Sequence, residues 1–280
     1  AEPALNLHCS GETFLSAAWN SFAVRFISLI AFFRSAGVSG AAEVDFDLGM
    51  AVNLDGTRHV LEAARHLCRG TRLVFASSIA VFGGEMPDVI RDDTHLTPQT
   101  SYGAQKAAGE LLVADYGRKG FIDGRSLRLP TIVVRPGRPN KAASTFASSI
   151  VREPLAGEEA VCPVTPETSM YVLSPRRVVD ALVHAMELPA EAFGTTRSLT
   201  LPGLTYTIRE MVDALERVAG RSVAQRIRWE PDPLIQTIVN GWAYRVAADR
   251  ARAMGFAADE GLEAIIRQHI EDELGGRFAA

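Results

Sequence analysis

The chain has 280 residues, enough to bury a large core in one large domain or one and a half smaller ones. Its 29 Lys and Arg against 33 Asp and Glu leave a formal net charge of -4, and 47% of the residues are hydrophobic. That balance excludes a disordered chain and gives no electrostatic reason for a nucleic-acid partner.

The first marked feature is the apolar run from Phe14 to Phe33, interrupted by Asn20 and, near its centre, Arg25. An arginine at that depth is costly in a bilayer, and no early basic region marks a signal peptide. The run predicts a buried or partly buried helix or strand, and no membrane partner. Cys9, Cys68 and Cys162 are far apart and odd in number. They predict neither a disulfide framework nor a metal motif, which fits a reducing, cytoplasmic setting.

From Asn53 the pattern becomes regular. Leu54, Val60, Leu61, Ala64 and Leu67 recur at helical spacing. Leu73, Val74 and Phe75 predict a buried strand running out into a loop, and a polar stretch follows to Gln99. Ser101 to Gly117 predicts a helix closed by glycines, and 125–134 a second buried strand with Pro130 at or near its end. Strand, helix and strand at this spacing imply a parallel sheet covered by helices.

Residues 136–170, rich in Pro, Ser, Thr and Gly, read as a crossing between layers that contains one short helix. Pro175 to Leu188 predicts a helix with proline at its start, and 197–201 a short strand. Thr207 with Glu210 three residues on predicts a capping box opening a helix to Ala219. A strand and turn follow at Arg226–Pro233, a helix over 234–253, and a last helix over 261–274.

Two pieces carry chemistry: Ser77 and Ser78 at a strand end, and Tyr102 with Lys106 at the start of the next helix. The four-residue spacing puts Tyr102 and Lys106 on one helix face. A nearby ammonium favours the phenolate, which a phenol with a reference pKa of about 10 needs if it is to take protons near neutrality. A serine hydroxyl can hydrogen-bond the substrate oxygen as its charge changes. Taken alone, the Tyr-x-x-x-Lys spacing also suits an ordinary surface pair; the serine pair upstream makes it specific.

With VNLDGT at 52–57, LVFASSIAVFG at 73–83 and SYGAQKAAGE at 101–110, residues 52–135 resemble the extended short-chain dehydrogenase/reductase family of nucleotide-sugar epimerases and dehydratases. The resemblance implies an α/β fold: a Rossmann-like parallel sheet with helices on both faces, and a smaller C-terminal substrate-binding subdomain. The first unit spans 1–135 and is atypical at 1–40. The second spans 136–280, with 175–201 returning to the first.

The resemblance also implies Ser78, Tyr102 and Lys106 as catalytic residues. NAD is the implied cofactor, with NADP open, and Ser77, Tyr102, Lys106, Leu129 and Thr131 lie beside it. Asn53 would support the site, a helix N-cap being the plain alternative. Similarity of the segments 45–57, 128–159 and 171–185 to a subfamily oxidising a four-carbon sugar acid at C2 places Arg135, Asn140, Ser144 and Arg176, with Ser78, near the substrate. For each of these four a surface ion pair or helix-start role is the competing reading. The resemblance implies no metal, and a homodimer.

One part of the pattern is missing. No G-x-x-G-x-x-G or G-x-G-x-x-G occurs near the start, and no acidic residue follows at the distance that holds an adenosine ribose. Roughly two strands and one helix of the expected front half are absent or replaced. Residues 1–40 stay open between a truncated or frame-shifted front half, a misread sequence, and a divergent chain that binds its cofactor otherwise. Two further functional readings follow: a nucleotide-sugar epimerase or dehydratase, or a catalytically impaired member lacking normal cofactor binding.

Overall fold

The computed structural model describes residues 38–137 and 143–279, so the run Phe14–Phe33 lies outside the described residues. Two short helices, α1 (Gly40–Val44) and α2 (Phe46–Gly49), lead through a π-helical turn (Met50–Asp55) into α3 (Gly56–Leu67). Then follow β1 (Arg72–Ser78), a 3-10 turn (Ile79–Val81), α4 (Ser101–Arg118) and β2 (Asp123–Leu129). The predicted helix at 53–67 and the strand at 73–75 are both present. Asn53 sits inside the π-helical turn with Gly49 before that turn, so the plain N-cap reading does not hold.

The predicted strand over 125–134 is broken at Pro130. β2 pairs in parallel with β1, Ser78 opposite Leu129, whereas β3 (Thr131–Ile132) leaves for a second sheet and pairs with β5 (Ser169–Leu173). Proline has no N–H to donate to a ladder, so it marks the point where the chain changes sheets. α5 (Thr145–Leu155), β4 (Ala160–Cys162) and β5 fill the segment read as a crossing, and the two strands there were not foreseen.

α6 (Pro175–Glu187) starts at its proline as expected, and β6 (Ser198–Thr200) joins β2 in parallel to give the order β1-β2-β6. Among the described residues no strand pairs with the free side of β1. α3 and α4 cover one face of this sheet, Leu61 and Val113 packing with Phe75, and α6 the other, Val178 and Leu182 packing with Val74 and Leu127. Asp123 gathers Arg72, Arg125 and Arg197, ion pairs that tie the N-terminal ends of β1 and β2 to the approach to β6.

The remaining elements are β7 (Leu204–Thr207), α7 (Ile208–Ala219), α8 (Arg221–Ala224) and β8 (Ile227–Trp229). α9 (Pro233–Asn240), α10 (Asp249–Ala253) and α11 (Leu262–Leu274) complete the chain. β7 runs antiparallel to β5, and β4 pairs with β8. The single helix predicted over 234–253 is two: residues 245–247 instead pair with Ile90, which anchors the polar loop before α4. Tertiary pairing here overrides helical periodicity.

Cys162 is a buried free thiol, pushed up to about 11 by burial, whereas Cys68 is disulfide-bonded, against the expectation of no disulfide. Distance in space, which sequence spacing does not reveal, decides such pairing. No helix among the described residues is long and apolar enough to cross a membrane.

The capping box is present as predicted: the Thr207 side chain accepts from the Glu210 N–H, and the Glu210 carboxylate accepts from the Thr207 N–H. Replacing Thr207 by Ala should lower unfolding free energy in urea by about 1 kcal/mol. The rate of any reaction at the β1–α4 junction should stay unchanged.

Candidate active site at the junction of β1 and α4

β1 ends at Ser78 because its hydroxyl turns back to accept the Ala80 N–H at 3.1 Å, opening the 3-10 turn. The N-terminus of α4 is capped by Thr100, whose hydroxyl accepts from the Gly103 N–H at 3.0 Å. That cap sets Tyr102 in the first turn, facing the strand end. A Cβ on Gly103 would lie 2.1 Å from the Ala80 carbonyl oxygen, and one on Gly109 2.6 Å from the Phe75 ring. α4 therefore lies on β1 more closely than any other residue type at these two positions permits.

The closeness brings the predicted residues together. The Ser78 hydroxyl lies near enough to the Tyr102 hydroxyl to favour its phenolate. Burial pushes the Tyr102 hydroxyl above its usual range; the Ser78 hydroxyl and the Arg135 charge act against that. Lys106, 1% exposed, donates to the Ala76 carbonyl at 2.9 Å, with its Nζ 4.7 Å from the Phe75 ring centre and 5.7 Å from that of Tyr102. Burial lowers its pKa to about 8, with the Glu110 carboxylate opposing. The cation acting on the Tyr102 hydroxyl is Arg135, because the Lys106 ammonium is drawn to Ala76 and Phe75.

Ser77 is 2% exposed, and its hydroxyl donates to Glu110 Oε1 at 2.5 Å instead of being left free. Glu110 also accepts a two-pronged bond from Arg128, at 3.0 Å from Nε and 2.7 Å from Nη2. Neither Glu110 nor Arg128 was singled out in the sequence. The available signal was a glutamate one turn beyond Lys106 on the same helix face, with an arginine set between two leucines of a buried strand.

Asn53 is 1% exposed; its amide donates to the Val38 carbonyl at 3.1 Å and to Gln105 Oε1 at 2.7 Å, bolting the segment before α3 to α4. Leu129 lies opposite Ser78 across the ladder, and Thr131 opposite Val172. The Arg135 guanidinium reaches Ser144 Oγ at 3.4 Å, and the Arg135 backbone N–H donates to Ser148 Oγ at 3.0 Å. Among the described residues no carboxylate lies within ion-pair distance of it. Arg176 is placed differently: its guanidinium is held by Asp272 and Glu271 on α11. Asn140 lies outside the described residues.

The NAD dependent epimerase/dehydratase family profile matches residues 17–195. The chain belongs to this family. It is thus of an NAD-dependent, dehydrogenase-type enzyme class. D-erythronate dehydrogenase of Cupriavidus necator is 54% identical over 241 residues, spanning 86% of this chain and 74% of that protein. D-erythronate dehydrogenase of Haemophilus influenzae is 46% identical over 243 residues, spanning 87% and 77%. Among solved structures, a nucleoside-diphosphate-sugar epimerase from Agrobacterium tumefaciens superposes with a TM-score of 0.82 at 50% identity, over 86% of this chain and 72% of that one.

Family membership implies a dinucleotide cofactor, and the described residues fit one end of it. An ammonium has three N–H groups, and among the described residues Lys106 makes one hydrogen bond, to the Ala76 carbonyl, so N–H groups remain that ribose hydroxyls could accept. Among the described residues no glycine-rich turn leads into a helix to receive a pyrophosphate. Lys106 is therefore where the described residues could hold such a group.

Gly103→Ala tests the closeness of α4. The helix gains roughly 0.5–1 kcal/mol from alanine, but forcing Cβ against a backbone carbonyl costs about 1–3 kcal/mol. Net destabilisation in urea and a fall of at least about tenfold in kcat are expected.

Proposed function

We propose that the chain oxidises the C2 hydroxyl of a small sugar acid, of the D-erythronate kind, to a ketone with NAD. The observation that carries this reading is one place holding Tyr102 beside Ser78 and, in electrostatic reach of them, the Arg135 guanidinium, which has serine contacts and no carboxylate partner among the described residues. A 2-hydroxy acid has its hydroxyl and its carboxylate on adjacent carbons, and so presents one group to each.

Ser78 donates to or accepts from the C2 oxygen and fixes its position. Tyr102, as phenolate, takes the hydroxyl proton as the C2–O bond becomes a carbonyl. Bound NAD supplies the acceptor for the hydride that leaves C2. Lys106 holds the ribose hydroxyls, while Leu129 and Thr131 line the chain's return beside the ring. Arg135 receives the carboxylate in a two-pronged bond and adds positive charge beside the tyrosine. Ser144 steadies Arg135, and Asn140 follows on the same segment. Arg176, taken up by Asp272 and Glu271, is assigned no part in the reaction. Residues up to 135, with 175–201, thus supply the cofactor side and the proton chemistry, and the rest of 136–280 completes the substrate side begun at Arg135.

The resemblance to a nucleoside-diphosphate-sugar epimerase supports a second reading with the same proton chemistry and a larger substrate. Two measurements separate them. NADH formation is measured with D-erythronate and with erythritol, which lacks the carboxylate, and conversion of a UDP-sugar, which an epimerase or dehydratase completes without net NADH, is followed by chromatography of the product. The sugar acid should be preferred, and Arg135→Met should raise its KM by about 10–100-fold, the worth of a charged hydrogen-bond pair. The rate with erythritol should fall less, because there only the charge beside Tyr102 is lost. Turnover of the UDP-sugar alone overturns the proposal.

A further inference from the structure

Lys106 and Glu110 are two ionisable groups one turn apart on α4, 1% and 3% exposed. Helix and strand are stitched by three polar contacts in sequence: Tyr102 to Ser78, Lys106 to the Ala76 carbonyl, and Glu110 to Ser77. A buried ammonium is expensive unless a negative charge stands near it. The other groups facing Lys106 are poorly suited to that task. On its own helix Tyr102 is neutral over most of the pH range, and β1 offers a carbonyl, the Phe75 ring and the Ser77 hydroxyl. Arg128 on β2 is a like charge and is itself paired with Glu110. Among the described residues Glu110 is the carboxylate within reach, and its position is fixed from two sides by Arg128 and Ser77.

We infer that Glu110 is a positioning residue, whose clamped carboxylate keeps the Lys106 ammonium charged and in place while Tyr102 handles the proton. This inference rests on the Ser78, Tyr102, Lys106 reading above and adds to it where the lysine's charge comes from. Arg128 and Ser77 then serve the reaction at one further remove, by holding Glu110.

Removing Glu110 alone strands the Arg128 charge, so the test uses the double variant Glu110→Gln/Arg128→Met beside Glu110→Gln, Arg128→Met and the parent. The first readout needs neither substrate nor cofactor: the midpoint of thermal unfolding against pH, with Lys106→Met as the blank. The sign follows from the folded lysine losing its proton near pH 8, below its usual range. Between about pH 8 and the unfolded value near 10.4 the unfolded chain binds more protons, so the parent's stability rises with pH there relative to Lys106→Met. Below pH 8 that contribution is constant.

In the double variant and in Glu110→Gln the rise should begin at least one pH unit lower; Arg128→Met alone should leave its onset in place or move it upward. The second readout is the alkaline limb of kcat for sugar-acid oxidation, which should move down by the same amount while KM changes less than twofold. A merely structural role would scale kcat equally at every pH. An onset unmoved in both Glu110 variants overturns the inference. A moved onset with no sugar-acid turnover in the parent leaves the inference standing and overturns the substrate reading.

Discussion

The approach of α4 to β1 is the constraint on which the rest depends. Two glycines on one helix, Gly103 and Gly109, face a backbone carbonyl and an aromatic ring at distances that no Cβ tolerates. Ser78, Tyr102 and Lys106 belong to different elements, and they become one site because those elements lie this close. The hydrophobic contribution at the seam comes from Leu73, Phe75 and Val113, packed with Leu61. Such burial is non-directional. The glycines and the Ser78 and Thr100 caps supply the direction.

Polar groups in this seam are buried in number. Ser77, Lys106, Glu110 and Arg128 are each at most 8% exposed. A half-satisfied network of this kind costs more than an apolar core, so its completeness matters. Glu110 is satisfied by three donors from Ser77 and Arg128, whereas Lys106 is left with donors to spare. That asymmetry separates a structural pair from a group kept available for a ligand. The same contrast holds farther along the chain: Arg176 is saturated by two carboxylates, while Arg135 has serines and no carboxylate among the described residues.

The long periodic elements were legible in the sequence. Helices at 101–118, 175–187, 208–219 and 262–274 carry their start and stop signals in the residues themselves. Of the short strands in the second half, Ser198–Thr200 and Ile227–Trp229 were legible beside their turns, whereas Ala160–Cys162 and Leu204–Thr207 were not, being too short to show a period. The break in 234–253 was also hidden, since the pairing of residues 245–247 with Ile90 is a contact more than 150 positions away. At the site, Tyr102, Lys106 and Ser78 were readable as residue types at a meaningful spacing. Glu110 and Arg128 were not, because a charged residue in an amphipathic pattern is ordinarily assigned to the solvent face.

The central claim is that the Tyr102 hydroxyl, held at Ser78 beside Arg135, is the proton acceptor in an NAD-linked oxidation. The most direct measurement is the rate of NADH formation from D-erythronate by the parent and by Tyr102→Phe, with thermal unfolding confirming that the variant is folded. The account predicts a measurable parent rate and a loss of about 10²–10⁴-fold in kcat on removing one hydroxyl oxygen. A folded Tyr102→Phe variant that keeps the parent's rate, or a parent that forms no NADH, would contradict it.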